Sequence, residues 1–320
     1  MPGTPSLARR PATSVTKMPR ALRAPRRPKG LLAALGAGFF ASLLAAPPAL
    51  ADLVTPQHGG SPNANDINTL YIVVLVLAAI IFVGVEGALI YSMIKFRTRK
   101  GAVAAQIRGN TRLEVGWTVG AAVILVVLAG VTFALLPGIR TPDNSDAGGF
   151  RASNGAVLYA SGPQKRLPSN GRALNICVNG QQYIWRYTYG ARCKDAPLNS
   201  PFGYTTMIAP TGTTVTLEIV AQDVAHSWWI PKLGGKFDAV PGYTNYTWFK
   251  IPRGMEGHIF RGQCAELCGR NHANMVAFVK AVSPSDFEKF LAAKNRLIKA
   301  ADAAAAVGRK KLDRDPRANP

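Results

Sequence analysis

Two long apolar segments set the terms on which this chain can fold. The stretch TLYIVVLVLAAIIFVGVEGALIYSMI (residues 69–94) carries a single charge, Glu86, and VGWTVGAAVILVVLAGVTFALL (115–136) carries none. Each exceeds the roughly 20 helical residues that cross a hydrocarbon core about 30 Å thick. No water is available in that layer to satisfy the backbone, so such a span must close its own hydrogen bonds as a helix. The spacing predicts a hairpin of two membrane helices, 69–94 and 114–136, joined by residues 95–113. That connector holds six Lys/Arg and no acid, whereas 52–68 holds two acids and no Lys/Arg. The connector is therefore expected in the cytoplasm, and everything from 137 onward outside it.

The N-terminal region agrees with this orientation. Eight Lys/Arg and no acid precede the apolar run LLAALGAGFFASLLAAPPALA, which ends in the small-x-small pattern Ala49-Leu50-Ala51. Residues 1–51 read as an export signal, followed by an extracytoplasmic segment, 52–68. A third anchor is the competing reading, but the run is short and Pro47-Pro48 interrupts it. The formal charge of +21 is largely explained by topology, since the signal and the connector carry much of it. Residues 137–285 hold fifteen basic and eight acidic residues. No groove-reading motif accompanies them, so nucleic acid is not an expected partner.

Residues 137–150 (PGIRTPDNSDAGG and Phe150) form a turn-rich linker. Strand signals follow over 151–285. ALNICVNG and QQYIWRYTYG meet at Asn179-Gly180, a strong hairpin dipeptide. TTVTLEIVAQ (213–222) alternates and is rich in β-branched residues, and NYTWFKI, HIFRGQC and MVAFVKAV continue the pattern. Short strands separated by Gly and Pro predict a small Greek-key sandwich or barrel. After Ser283 an Ala-rich amphipathic helix is expected, ending in a basic tail; together these make up 286–320.

Between two of these strands lies QCAELCGRNHANM (263–275), which places Cys264, Cys268, His272 and Met275 four, four and three residues apart. His226, in DVAHSWW, follows a strong strand and can reach the same end of a sandwich. Three metals compete for such a set. Zinc would take two Cys and two His and leave Met275 idle. A mononuclear blue copper would use two His, one Cys and a weak axial Met, leaving one thiol over. A dinuclear copper centre uses every donor, with both thiolates bridging. A Cys264–Cys268 disulfide is the structural alternative outside the cytoplasm.

AHSWWIPKLGGKFDAVPGYTN followed by GQCAELCGRNHANM resembles subunit II of the haem–copper cytochrome c oxidases, and the likeness covers roughly residues 65–285. It implies a membrane-anchored all-β protein: a two-helix transmembrane hairpin followed by a cupredoxin-like Greek-key β-barrel. In that family two cysteines bridge the two coppers of copper A, which maps onto Cys264 and Cys268. The histidines map onto His226 and His272, the thioether onto Met275, and a backbone carbonyl onto Glu266, whose carboxylate would reach a magnesium ion at the subunit I interface. The resemblance implies that the chain accepts electrons from reduced cytochrome c and passes them to haem held in subunit I. Oxygen reduction and proton translocation belong to that partner, with subunit III alongside it.

Further residues carry two readings each. Glu114 resembles the family glutamate at the cytoplasmic mouth of a proton channel; the alternative is a helix-start acid favoured by the dipole. Glu86, inside the first span, is either a functional carboxylate or a protonated bystander. QQYIWRYTY resembles the aromatic stretch where the family takes up electrons. The family's usual tryptophan is replaced here by Tyr183, with Trp185 two residues later, so both are candidates. Trp185 could equally be a core aromatic. Asp223 is a candidate docking acid, although the positive domain would not steer a basic donor well; either the acids cluster locally, or the donor is acidic or membrane-held. Cys177 and Cys193 either pair or stay free. His58 and His258 read as surface or strand residues. A copper carrier would need no membrane hairpin, a quinol oxidase subunit would lack the copper ligands, and nitrous oxide reductase shares the loop but not the hairpin.

Overall fold

The computed structural model describes residues 56–97, 103, 106–151, 160–194 and 199–312. The signal segment 1–51 and the end of the basic tail lie outside the described residues. Among the described residues two helices come first, α1 (Pro62–Lys95) and α2 (Thr111–Arg140). They pack as a hairpin, and their apolar side chains point outward: Phe82 is 65 % exposed and Phe133 74 %. Surfaces of this kind are stable facing lipid, not water. Both helices run beyond the purely apolar stretches because their ends are built to start there. Pro62 occupies the first turn of α1, where its missing N–H costs nothing. At α2 the Asn110 side chain accepts from Leu113 N–H (3.2 Å), and the Glu114 carboxylate accepts from Asn110 N–H (3.3 Å). Glu114 thus closes a reciprocal cap, while Glu86 lies on the exposed surface of α1.

The helices are tied to the β domain at their outer ends. Asn63 Nδ2 donates to the Trp248 carbonyl (2.8 Å), Lys250 N–H donates to Ser61 Oγ (3.1 Å), and Trp248 Nε1 donates to the Ile139 carbonyl (3.0 Å). Ser61 and Asn63 are buried by this contact, so one strand holds both helices.

Among the described residues, ten strands form two five-stranded sheets. The first contains β1 (Leu174–Gln181), β2 (Ile184–Tyr189), β3 (Phe202–Tyr204), β5 (Thr214–Ala221) and β8 (Asn245–Lys250), in the order β3-β2-β1-β5-β8. The second contains β4 (Thr206–Pro210), β6 (His226–Trp229), β7 (Phe237–Ala239), β9 (Ile259–Cys264) and β10 (Val276–Val282), in the order β4-β10-β9-β6-β7. β1 with β5 and β4 with β10 run parallel; the other pairs are antiparallel. Ile176, Val178, Leu217 and Ile219 from one sheet meet Met207, Trp228, Phe260 and Val279 from the other, all buried. This is the cupredoxin-like Greek-key architecture, built as a two-sheet sandwich. The last helix, α3 (Pro284–Leu312), starts at Ser283, whose Oγ accepts from Asp286 N–H (3.1 Å). Phe287 seals the sandwich against Phe150, with ring centroids 4.8 Å apart.

One turn falls elsewhere than the sequence predicts. The β1–β2 hairpin does not turn at Asn179-Gly180: Gly180 pairs with Trp185 and Gln181 with Ile184, so the turn is Gln182-Tyr183. Gly180 serves packing instead. A Cβ there would stand 3.0 Å from both the His226 and Trp185 rings, and the glycine lets the histidine close on the sheet. Gly262 in β9 is tighter still, since a Cβ would stand 2.0 Å from the Trp229 carbonyl oxygen. Gly262→Ala must push β9 and β6 apart, at a cost of about 1–3 kcal/mol typical of overpacking. The expected outcome is a lowered midpoint of thermal unfolding for the purified chain in detergent. An unchanged midpoint would mean that these strands separate freely.

Cys177 and Cys193 form a disulfide with Cα atoms 4.9 Å apart, 16 residues apart in sequence. It joins β1 to the segment after β2. Beside it the buried Glu218 carboxylate accepts from Arg192 Nε (3.1 Å), Cys193 N–H (2.8 Å) and Ser161 Oγ.

Candidate metal centre

The soft donors singled out in the sequence converge at one end of the sandwich. β6 opens with His226, wholly buried. β9 ends at Cys264, and the loop to β10 carries Cys268, a short 3-10 turn His272–Asn274, and Met275. Cys264 is fixed by its own strand: its N–H donates to the Met275 carbonyl (2.9 Å), and it pairs with Trp228 across β6. Both ends of the loop are therefore anchored in one sheet, next to the strand that carries His226.

Cys264 Sγ lies 3.9 Å from His226 Nδ1 and 3.9 Å from Cys268 Sγ. Cys268 Sγ lies 3.5 Å from His272 Nδ1 and 3.8 Å from Met275 Sδ. The Glu266 carbonyl oxygen is 3.3 Å from Cys264 Sγ. Two thiols thus sit at the middle, with one imidazole on each side and a thioether and a carbonyl completing the ring. His226, Cys264 and Cys268 offer ligand atoms within 4.8 Å of one another. The two thiols are free, so the disulfide alternative at this loop does not hold, in contrast to Cys177–Cys193. Cys264, Cys268 and Met275 are each no more than 3 % exposed.

The electrostatics favour a cation here. Burial pushes the Cys268 thiol up to about 11, and the neighbouring Cys264 adds to the effect. Two buried thiolates cannot coexist without a positive charge between them, and metal binding would expel their protons. Asp223 responds in the opposite direction. Burial raises its carboxyl, but hydrogen bonds from Gln182 N–H, the His226 ring and Val224 N–H outweigh burial and leave it below its ordinary value. Asp223 Oδ1 sits 2.9 Å from His226 Nε2. With that nitrogen held by the carboxylate, Nδ1 is the one turned to the thiols.

The two aromatic candidates separate. Trp185 has no solvent exposure and packs edge-on against His226 from inside, with centroids 5.8 Å apart. A docked donor cannot touch it, so it backs the histidine as a core residue. Tyr183 is half-buried at the hairpin tip, with its hydroxyl over Gly269 in the ligand loop. Asp223, a candidate docking acid, is exposed and is also engaged with His226 and Gln182. Sequence reasoning missed Gln182 altogether. Its contacts lie 41 and 86 residues away, and only the position of the hairpin turn could have signalled them.

A two-helix anchor followed by a Greek-key sandwich with a buried cluster of thiol, imidazole and thioether at one end defines a membrane-bound cupredoxin-type metal protein. Residues 50–135 match the family description "Cytochrome C oxidase subunit II, transmembrane domain", and residues 203–282 match "Cytochrome C oxidase subunit II, periplasmic domain". "Cytochrome c oxidase subunit 2" of Cereibacter sphaeroides is 30 % identical over 274 residues, covering 74 % of this chain and 80 % of that protein. "Probable cytochrome c oxidase subunit 2" of Rickettsia bellii is 29 % identical over 283 residues, covering 84 % and 94 %. Among solved structures, the periplasmic domain of subunit II of cytochrome oxidase from Bradyrhizobium japonicum is 28 % identical, covering 39 % of this chain and 95 % of that one, with a TM-score of 0.34. The chain belongs to the cytochrome c oxidase subunit II family. It is a subunit of an oxidoreductase complex, anchored in the membrane with its β domain on the periplasmic side.

Proposed function

We propose that this chain takes up electrons from reduced cytochrome c at a dinuclear copper centre and delivers them to haem in subunit I. The observation that carries the reading is the ring of donors around the two thiols: His226, His272, Met275 and the Glu266 carbonyl, each within 4 Å of Cys264 or Cys268. Zinc has no use for a buried thioether, whereas copper accepts thiolate, imidazole and thioether together. When bound, a copper pair held by Cys264, Cys268 and the donors around them would supply reversible one-electron transfer with a small reorganisation barrier.

The residues of this chain supply the rest. Strand ends fix Cys264 and His226, so the donors need not move. Burial of Cys264, Cys268 and Met275 excludes water. The rim is accessible: His272 is half-buried, Leu267 is 78 % exposed and Val224 37 %. These apolar side chains, with Tyr183, suit close contact with a donor's exposed haem edge. The Glu266 carboxylate is exposed and is left for an ion shared with subunit I, magnesium by the family resemblance. Oxygen reduction and proton translocation remain with the partner subunits.

The test is electron paramagnetic resonance of the full chain in detergent, loaded with copper. Hyperfine splitting shared equally by two copper nuclei is the expected result. Splitting from one nucleus would make the site a mononuclear copper and remove the basis for the reading.

A further inference from the structure

The tip of the β1–β2 hairpin supplies no donor atom, yet it holds both ligand-bearing segments. Gln182 Nε2 donates to the Cys268 carbonyl (2.7 Å), and Gln182 N–H donates to Asp223 Oδ2 (2.6 Å). Asp223 Oδ1 in turn meets His226 Nε2 at 2.9 Å. One residue therefore connects the backbone of Cys268 in the β9–β10 loop to the imidazole of β6. The loop is shaped to admit it. Gly269, next to Cys268, has φ +124°, and a Cβ there would stand 2.6 Å from Tyr183 Oη and 3.0 Å from Gln182 Nε2. A second tie, from Gln181 Nε2 to Gln222 Oε1, anchors the tip to the segment that carries Asp223.

We propose that Gln182 is a positioning residue for the metal centre, a bracket that holds Cys268 through its side-chain amide and His226 through Asp223. The proposal rests on the reading of this cluster as a metal site, but not on which metal fills it. Partners that orient ligands in this way are worth about 10–100-fold in metal affinity. The two arms are separable by mutation. Gln182→Ala and Gln182→Leu both remove the amide and keep the backbone N–H on Asp223. Leucine also keeps the side-chain bulk over the loop. Asp223→Asn keeps an acceptor near His226 but removes the charge that holds its ring.

The experiment measures the rate at which the full chain in detergent, loaded with copper or separately with zinc, loses its metal to an excess of chelator. Gln182→Ala and Gln182→Leu are expected to lose metal about 10–100-fold faster than the parent, and copper-loaded variants should show unequal hyperfine splitting. The unfolding midpoint of the metal-free chain should stay at the parental value, which separates positioning from a general loss of stability. Release within twofold of the parent in both variants would overturn the bracket. So would a parental rate in Gln182→Leu alone, because bulk and not the hydrogen bond would then be responsible. A parent chain with a single-copper signal would defeat the dinuclear reading and leave the ratio of release rates, and hence the bracket, still measurable.

Discussion

On the dinuclear reading proposed above, Cys264→Ser is expected to abolish the two-copper signal while leaving the β domain folded. A serine hydroxyl stays protonated at neutral pH and offers a hard oxygen in place of a soft thiolate, so it cannot bridge. The fold should tolerate it, because the swap nearly conserves volume and the Glu266 carbonyl, 3.3 Å from the parental sulfur, is at hand to accept from the new buried hydroxyl. The strand contacts of residue 264, its N–H to the Met275 carbonyl at 2.9 Å and its pairing with Trp228, come from the backbone and survive. Bound copper should fall from about two to about one per chain, with splitting from a single nucleus. Turnover of the assembled oxidase on reduced cytochrome c should fall by more than the roughly 10–100-fold that loss of a mere supporting contact costs at a metal site. A variant that kept splitting shared by two nuclei would show that Cys264 is no bridge and that the arrangement around Cys268 has to be redrawn.

Much of this site is legible in the linear sequence because its chemistry is local. Cys264, Cys268, His272 and Met275 fall within one loop, and a loop between two strands has few places to go. The membrane hairpin is legible for a similar reason, since each helix satisfies its own backbone and needs no distant partner. Pairings between remote segments are different. The parallel ladders of β1 with β5 and β4 with β10 leave no local trace, and neither do the contacts of Gln182. The hairpin turns two residues beyond Asn179-Gly180 because Gly180 satisfies two rules at once. Asn-Gly favours a turn, but glycine is also what a strand needs where a ring closes on it, and the His226 ring 3.0 Å from a notional Cβ decides the matter. The burial of Trp185 could have been read in advance. Trp185, Tyr187 and Tyr189 alternate along β2 and so share one face, and all three are buried. Tyr183 escapes that pattern because it sits in the turn.

The Cys177–Cys193 disulfide should contribute about 3 kcal/mol, the loop-closure value for a cross-link of this span. Its removal by the paired change Cys177→Ala and Cys193→Ala is expected to lower the thermal midpoint of the chain by roughly 6–12 °C. Loop closure is not the whole effect. Glu218 is 2 % exposed, and two of its hydrogen bonds, from Arg192 Nε and Cys193 N–H, come from the segment that the disulfide tethers. A buried carboxylate left without partners costs more than the same bonds contribute when made. Arg192 is 61 % exposed at its side chain, so solvent weakens its grip, and it cannot hold the segment unaided. The centre itself should be indifferent to the change. Cys177 pairs with Thr188, well back from the Gln181–Ile184 pair that closes the hairpin, so copper-loaded protein below its midpoint should keep parental splitting. A parental midpoint in the double variant would mean that the Glu218 bonds suffice to hold the segment. Altered splitting would mean that the far end of β1 is mechanically joined to the metal, and that the hairpin moves as one rigid piece from the disulfide to Gln182.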